Sequence, residues 1–377
     1  MSSSAAILPS ADFRRELERR GGGTVSRCYQ CATCSAVCDL TTNGAPFPRR
    51  QMLFAQWGLS ERLMGEPGLW LCHQCNDCTQ RCPRDARPGD VLQAVRAMAI
   101  EKFAFPSALG RLVGRAATTW PLLLALPILF WVALLAGTGH LTVPADFHAY
   151  EQVVPHALIY GIFFPVTAWV VLASWVSGRR LWAALGAGSL RSGTVLGNLM
   201  PVLGEVAGHK RFQSCGAARP RFTGHLLLMW GFVGAAVTSG LLVVGIYVQK
   251  LPMPLGLSHP YKLLGNLSAV LLVAGGAWLV VNRLGQRAST GASTAFDAYF
   301  LTMVVLVIIT GVLAEVARLA LSPGFAVAIY ITHLGVVLNL FITFPYSKFS
   351  HLLYRSIAML HQRMAESGER SLAGPAQ

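Results

Sequence analysis

Eight of the nine cysteines in this 377-residue chain fall into two runs with the same spacing. Each run is C-x2-C-x2-C-x3-C, first from Cys28 to Cys38 and again from Cys72 to Cys82. Three cysteines in so tight a loop can hold three corners of a [4Fe–4S] cubane, and the fourth ligates the other cluster in two-cluster ferredoxins. A structural zinc site uses two C-x2-C pairs, so zinc does not explain two runs of four cysteines with the same spacing. The predicted ligand sets are Cys28, Cys31, Cys34 and Cys82 for the first cluster, and Cys72, Cys75, Cys78 and Cys38 for the second.

Four histidines at the ends of apolar segments form a second group of candidate ligands. His333 and His351 are eighteen residues apart, which is five turns of one unbroken helix at about 3.6 residues per turn. His225 begins an apolar segment at the level of His351, and His156 begins one at the level of His333. A b-type haem held by two imidazoles needs one pair at each level. We therefore predict two haem b groups, one bound by His156 and His333 and one by His225 and His351, with His259 as the alternative to His156.

The elements that would position these histidines are long and apolar. The chain is 53% hydrophobic and 13% charged, whereas soluble domains have about 25% charged residues. Each of its apolar segments is long enough to cross a bilayer. They cover residues 118–138, 153–176, 224–248, 261–281, 297–320 and 324–346.

The charges predict how these segments are oriented. The net charge of +14 is scattered between the apolar segments rather than clustered, so we expect a membrane lipid environment and no nucleic acid. With residue 1 inside, thirteen basic residues lie in the inner loops and the C-terminal region, against three outside. This bias predicts a multi-pass protein of the cytoplasmic membrane with both termini cytoplasmic. Residues 1–25 contain no apolar signal core, so we expect the cysteines to stay in the reducing cytoplasm and to bind metal.

The expected fold is all-α. Residues 1–24 would be a flexible tail, and residues 25–106 a cytoplasmic two-cluster domain of the helical ferredoxin type. Residues 107–355 would form a six-span transmembrane cytochrome b bundle, and residues 356–377 a cytoplasmic tail.

The last apolar segment resembles a known family. The stretch THLGVVLNLFITFPYSKFSH, which ends at His351, resembles the final helix of the gamma-subunit family of membrane-bound nitrate reductases. His225 matches the first histidine of that family's paired helix, but the second, ten residues later, corresponds to Ala235 here. We expect His156 to supply the missing ligand.

The N-terminal cysteine runs resemble the C subunit of heterodisulfide reductases. Together with WLCHQCNDCTQRCPRDARPGDVLQAVR and GHKRFQSCG, the fusion resembles the family of membrane-embedded C subunits of the quinone-interacting membrane-bound oxidoreductase complexes. This resemblance implies menaquinone as lipid substrate and flavoprotein and iron–sulfur subunits A and B as partners. It also implies adenylylsulfate reductase as the soluble redox partner in dissimilatory sulfur metabolism.

Two ionisable residues are candidates for a quinone site. Lys262 matches by position a quinol-contacting lysine of the nitrate reductase family, although a snorkelling lysine would look the same. Glu315 could relay protons, or could form a structural ion pair with Arg318. The ninth cysteine, Cys215, lies in the basic loop 177–223, which could dock soluble subunits.

Two other functions remain open on the sequence. One is a heterodisulfide-reductase-like membrane arm that feeds a thiol–disulfide subunit. The other, from a different class, is a membrane anchor or transporter with a regulatory iron–sulfur domain, which predicts no haem.

Overall fold

A computed structural model describes most of the chain, in residues 8–42, 44–186, 195–209, 211, 219–285, 291 and 294–373. These residues form helices and connecting loops and include no strand, apart from one isolated bridge between Thr42 and Ala45. The all-α prediction is confirmed.

Short helices and one long helix build the N-terminal domain. Buried side chains of Leu17, Met52, Leu63 and Val91 meet in its core. Leu17 belongs to the first helix, so part of the segment expected to be a loose tail packs in the core. The helices are α1 (Ala11–Leu17), α2 (Thr33–Ala36), α3 (Arg49–Gln56), α4 (Ser60–Met64), α5 (Pro67–Leu71), α6 (Asp77–Gln80) and α7 (Pro88–Phe103).

Six of the described helices are long and apolar enough to cross a membrane, and each overlaps a predicted span. We call the end of this bundle next to the N-terminal domain proximal and the opposite end distal. The six are α9 (Ala116–Gly137), α10 (His156–Ala184), α12 (Arg219–Tyr247), α13 (Pro260–Gly285), α14 (Ala295–Ala320) and α15 (Pro323–Thr343). The shorter helices are α8 (Ser107–Gly114), α11 (Val195–Gly208) and α16 (His351–Ala373).

The prediction of one unbroken helix from His333 to His351 is wrong. Helix α15 ends at Thr343, two short 3₁₀ turns follow, and α16 begins at His351. Pro345 has no N–H to continue the helical ladder, and Ser347 is extended, with φ −99° and ψ −173°. The chain therefore changes direction between His333 and His351, so the two histidines do not lie on one straight helix.

Helix α16 attaches the N-terminal domain to the proximal end of the bundle. The ring of Tyr354 packs edge-on against Trp70, with ring centres 4.7 Å apart. Tyr346 donates a hydrogen bond to Phe105 O at 2.8 Å, and Arg180 donates to Ala104 O at 2.5 Å. Residues expected to be a cytoplasmic tail after residue 355 thus continue a helix whose apolar face is buried in this junction.

Candidate iron–sulfur sites and cofactor cavity

The two cysteine runs adopt the same unusual backbone. Gln30 and Ala32 in the first run have φ of 59° and 68°, and Gln74 and Asn76 at the equivalent positions have φ of 53° and 67°. Left-handed residues alternating with right-handed ones turn successive N–H groups toward one point, which is a common cradle for iron–sulfur clusters. Each run then enters one helical turn, α2 or α6, that carries its third cysteine.

The first predicted ligand set lies around one small cavity. Cys28, Cys31 and Cys34 line this cavity together with Cys82, which comes from the second run. Cys31 is exposed and Cys34 is buried. The structure therefore brings together the four thiols expected to share a cluster, although they come from two separate runs.

The second predicted set is also brought together. Burial raises the pKa of the Cys38 thiol to about 12, and the neighbouring charges of Cys72 and Cys75 add to this effect. Burial likewise raises the pKa of Cys78, with further contributions from Cys72, Cys75 and Cys38. Such thiols would be protonated without a metal, so cluster binding would have to displace their protons.

The four thiols of the first set line a cavity. Among the described residues, no three Cys, His, Asp or Glu side chains meet closely enough to hold a single metal ion. A cubane spreads its four thiolates over four irons, so an enclosed volume is the arrangement it needs. The amide N–H of Gln74 lies 3.3 Å from Cys72 Sγ, and that of Ala86 lies 3.4 Å from Cys82 Sγ. Hydrogen bonds of this kind tune cluster potentials.

One large cavity extends from the second cysteine run into the bundle. Its volume is about 1160 Å³, and it begins at Cys72 and Gln74. It passes His225 and His351 and continues to His333. Pockets for single small ligands are about 300–1,000 Å³, so this cavity has room for more than one.

The inner histidine pair has a spacing suited to a shared metal. The ring centres of His225 and His351 are 6.0 Å apart. Two imidazoles on opposite sides of a metal, each bound at about 2.0–2.1 Å, have ring centres roughly 6 Å apart. Burial lowers the pKa of His351 to about 4, so its ring is neutral, as a ligand must be.

The Nδ1 atoms of His225, His333 and His351 have protein partners. His209 Nε2 lies 2.7 Å from His225 Nδ1, and Thr310 Oγ1 lies 2.9 Å from His333 Nδ1. His351 Nδ1 meets the carbonyl oxygen of Lys348. Histidines that bind metal through Nε2 are usually held by such a contact on Nδ1.

The outer pair is not brought together. His156 is not among the residues that line the cavity, and its Nδ1 lies 3.3 Å from Glu151 Oε2. His259 also lies outside the lining, and its Nδ1 accepts a hydrogen bond from the Tyr261 N–H at 3.2 Å. A second ligand opposite His333 therefore stays a prediction.

Arginines from three helices hold the second cysteine loop against the cavity. Arg96 donates to Cys72 O at 3.2 Å, Arg221 to Gln74 O at 2.7 Å, and Arg355 to Leu71 O at 3.2 Å. The proximal cavity wall is strongly basic. Its charged residues are Arg96, Arg211, Arg221, Arg283, Lys348 and Arg355, with Glu205 and Asp297 as acids.

A series of polar contacts also links this loop to His351. The side-chain amide of Gln74 donates a hydrogen bond to the side-chain oxygen of Gln93. The side-chain NH2 of Gln93 in turn donates to the carboxylate of Asp297 on α14. Asp297 pairs with Lys348, whose carbonyl meets His351 Nδ1. The second cluster loop and the inner histidine pair are thus parts of one polar network.

The quinone candidates lie together at the distal end. Lys262 Nζ on α13 is 2.6 Å from Glu315 Oε2 on α14, and Arg318 Nη2 is 3.2 Å from Glu315 Oε1. Gly311, one turn before Glu315, lies against the His333 ring, where an added Cβ would be 3.0 Å from Cε1. The triad thus lies about one helical turn from the distal part of the cavity.

Sequence reasoning missed His209 and the arginines that surround the second loop. His209 lies six residues before Cys215 in the basic loop, and no local pattern placed it beside His225. Cys215 itself lies outside the described residues.

Comparisons with known proteins identify the N-terminal domain. A family model described as "4Fe-4S dicluster domain" matches residues 24–86. The C subunit of the H(2):CoB-CoM heterodisulfide,ferredoxin reductase of Methanothermobacter thermautotrophicus is 33% identical over 86 residues, 22% of this chain and 46% of the relative. A protein of Archaeoglobus profundus described as similar to the C subunit of heterodisulfide reductase is 33% identical over 101 residues, 24% of this chain and 54% of the relative. The chain thus spans about half the length of these relatives.

One relative extends over the bundle as well. Citrate utilization protein B of Escherichia coli is 25% identical over 307 residues, covering 77% of this chain and 80% of the relative. No solved structure matches the chain. The family model shows a 4Fe-4S dicluster domain, and the structure joins it to a helical bundle that fits a multi-pass membrane protein.

Proposed function

We propose that this iron–sulfur electron-transfer protein connects a membrane quinone to a soluble flavoprotein through two haem b groups and its two [4Fe–4S] clusters. The supporting observation is the single cavity of about 1160 Å³ that begins at Cys72 and continues past His225 and His351 to His333. The alternative function, a membrane anchor or transporter, would not require a cavity lined by paired histidines.

The residues present fit a haem at the inner level. His225 and His351 have a spacing suited to a shared iron, and each has a protein partner on Nδ1. The basic residues of the proximal cavity wall would form ion pairs with the propionate groups of the haem. When bound, haem and clusters supply one-electron redox chemistry. The chain's part is to hold the ligands, keep their rings neutral and exclude water from the bundle.

Of the two ligands that we propose for the outer haem, only one lines the cavity. His333 lines the cavity and has Thr310 on its Nδ1. We keep His156 as the proposed partner, which would require its ring to leave Glu151 and turn toward the cavity.

We place menaquinone at the distal triad of Lys262, Glu315 and Arg318. A quinone that accepts or releases electrons also exchanges protons, so its site needs a carrier nearby and an ionisable group. Glu315 is one turn from the His333 contact and is 29% exposed. The protein would lie in the cytoplasmic membrane with the N-terminal domain and both termini inside, as the distribution of basic residues favours.

Three physiological partners are consistent with this path. The sequence resemblance favours flavoprotein and iron–sulfur subunits A and B, with adenylylsulfate reductase as soluble partner. One relative that aligns over both domains is a citrate utilization protein, so we also propose a partner that acts on a small carboxylic acid. A thiol–disulfide subunit is the third candidate, and it is supported by relatives of the N-terminal domain only.

The reduced-minus-oxidised optical spectrum of the purified full-length protein tests this proposal. We expect a b-type alpha band and about two haems per chain. His351→Ala and His225→Ala should each remove the inner haem and leave the non-haem iron unchanged. His140→Ala, in the distal loop, is the matched control. A spectrum without a b-type band would exclude the conduit and favour the anchor or transporter.

A further inference from the structure

The two cluster sites differ in their surroundings. The second loop is covered by arginines of α7, α12 and α16 and opens into the internal cavity. The first site reaches the surface, because its ligand Cys31 is exposed. The first site is therefore the more accessible of the two to a protein that exchanges electrons with the dicluster domain from outside.

The surface around Cys31 carries charges that the chain does not neutralise. Arg49 and Arg84 line the first cysteine cavity. Neither forms an ion pair with any residue that the structure describes, whereas Arg27 pairs with Asp85 at 3.0 Å. Uncompensated arginines beside an exposed redox site attract acidic proteins and speed their encounter.

The same surface exposes two large aromatic side chains. Tyr29, adjacent to Cys28, is 69% exposed, and the Arg84 guanidinium lies 4.1 Å from its ring centre. Trp57 is 58% exposed and follows Gln56, whose amide donates to Cys28 O at 2.7 Å. Tyrosine, tryptophan and arginine are the residues that most often dominate the binding energy of protein interfaces.

We propose that this face, formed by Tyr29, Arg49, Trp57 and Arg84 around Cys31, docks a soluble electron-transfer protein with an acidic surface. The proposal deepens the proposed function by assigning the flavoprotein partner to a particular face. It requires the clusters but not the haems or the quinone. The basic residues have a second explanation, which is that they only balance the negative charge of the bound cluster.

Reduced flavodoxin, a small acidic flavoprotein, is a suitable probe. Full-length protein with oxidised clusters would be mixed with it in a stopped-flow instrument, and the bleaching of the cluster absorption would be followed at several salt concentrations. Reduced methyl viologen, a small cation, would serve as the second donor. Since both donors act directly on the dicluster domain, failure of the haem conduit would leave this assay unaffected.

We expect the flavodoxin rate to fall with salt, and Arg84→Glu and Arg49→Glu to slow it about tenfold or more at low salt, within the range of electrostatic steering. Tyr29→Ala should slow it with little change in salt dependence. None of the three should slow methyl viologen. Arg62→Glu, an exposed arginine of α4 whose neighbour Gly65 lies against the end of α10, should match the wild type.

Three results would overturn the proposal. The first is a wild-type flavodoxin rate in Arg84→Glu and Arg49→Glu. The second is an equal loss in Arg62→Glu, which would show an effect of net charge alone. The third is loss of iron from the arginine variants, which would assign these side chains to cluster retention instead of docking.

Discussion

Removing Cys82 tests how the two cysteine runs share their clusters. Cys82 lines the cavity of Cys28, Cys31 and Cys34 although it belongs to the second run. Cys82→Ala should therefore empty the first site and leave the second site loaded. Non-haem iron should fall from about eight to about four atoms per chain.

The second site should survive this change for a structural reason. Its loop is held by Arg96, Arg221 and Arg355, whose hydrogen bonds to the backbone do not involve Cys82. Its own fourth ligand is Cys38, whose thiol neighbours Cys72 and Cys75.

Paired substitutions separate this arrangement from one in which each run holds its own cluster. Cys31→Ala combined with Cys82→Ala removes two ligands of one site, so about four irons should remain. Cys78→Ala combined with Cys82→Ala removes one ligand from each site, so little iron should remain. Iron would be determined colorimetrically on purified full-length protein, with electron paramagnetic resonance of the dithionite-reduced clusters. The opposite ranking of the two double variants would refute cross-ligation.

Three further changes test the surroundings of the sites. Gly89→Ala would place a Cβ 1.9 Å from Asn76 Oδ1 in the second loop, so we expect a loss of about 1–3 kcal/mol and of iron, measured by thermal unfolding and iron content. Gly161→Ala, which meets nothing within 4 Å, is its control. Asp297→Ala should cost about 1–3 kcal/mol because Lys348, Gln93 and Thr294 lose the carboxylate that they contact, which thermal unfolding in detergent would measure; an unchanged midpoint would contradict a stabilising role of this carboxylate. Lys262→Met should slow haem reduction by a menaquinol analogue, whereas the exposed Lys250→Met should not; equal rates would remove Lys262 from the quinone site.

The cysteine sites and the spans could be predicted from the sequence because their signals are local. The offsets within each run specify the tight loop, and the same left-handed residues recur at Gln30 and Gln74. The lengths of the apolar segments alone located the six long helices. The assignment of individual ligands stays a prediction, although the structure groups the cysteines as expected.

The remaining features depend on tertiary contacts that no local pattern carries. The interval between His333 and His351 gave no sign of the turn at Pro345, which changes how the two rings reach the cavity. His209 belongs to the segment GHKRFQSCG, but no local pattern relates this segment to His225, which it contacts. Depth along a span placed His156 at the level of His333, but the structure places its Nδ1 3.3 Å from Glu151, five residues earlier in the chain.

The path that we propose runs through the cavity from the distal triad to the second cluster. Its most direct test is the reduction of the clusters by a menaquinol analogue in purified full-length protein, followed by electron paramagnetic resonance after rapid freezing. We predict reduced clusters in the wild type and none in His351→Ala, whose clusters should still be reduced by dithionite. Quinol-driven reduction of the clusters in His351→Ala at the wild-type rate would contradict the account.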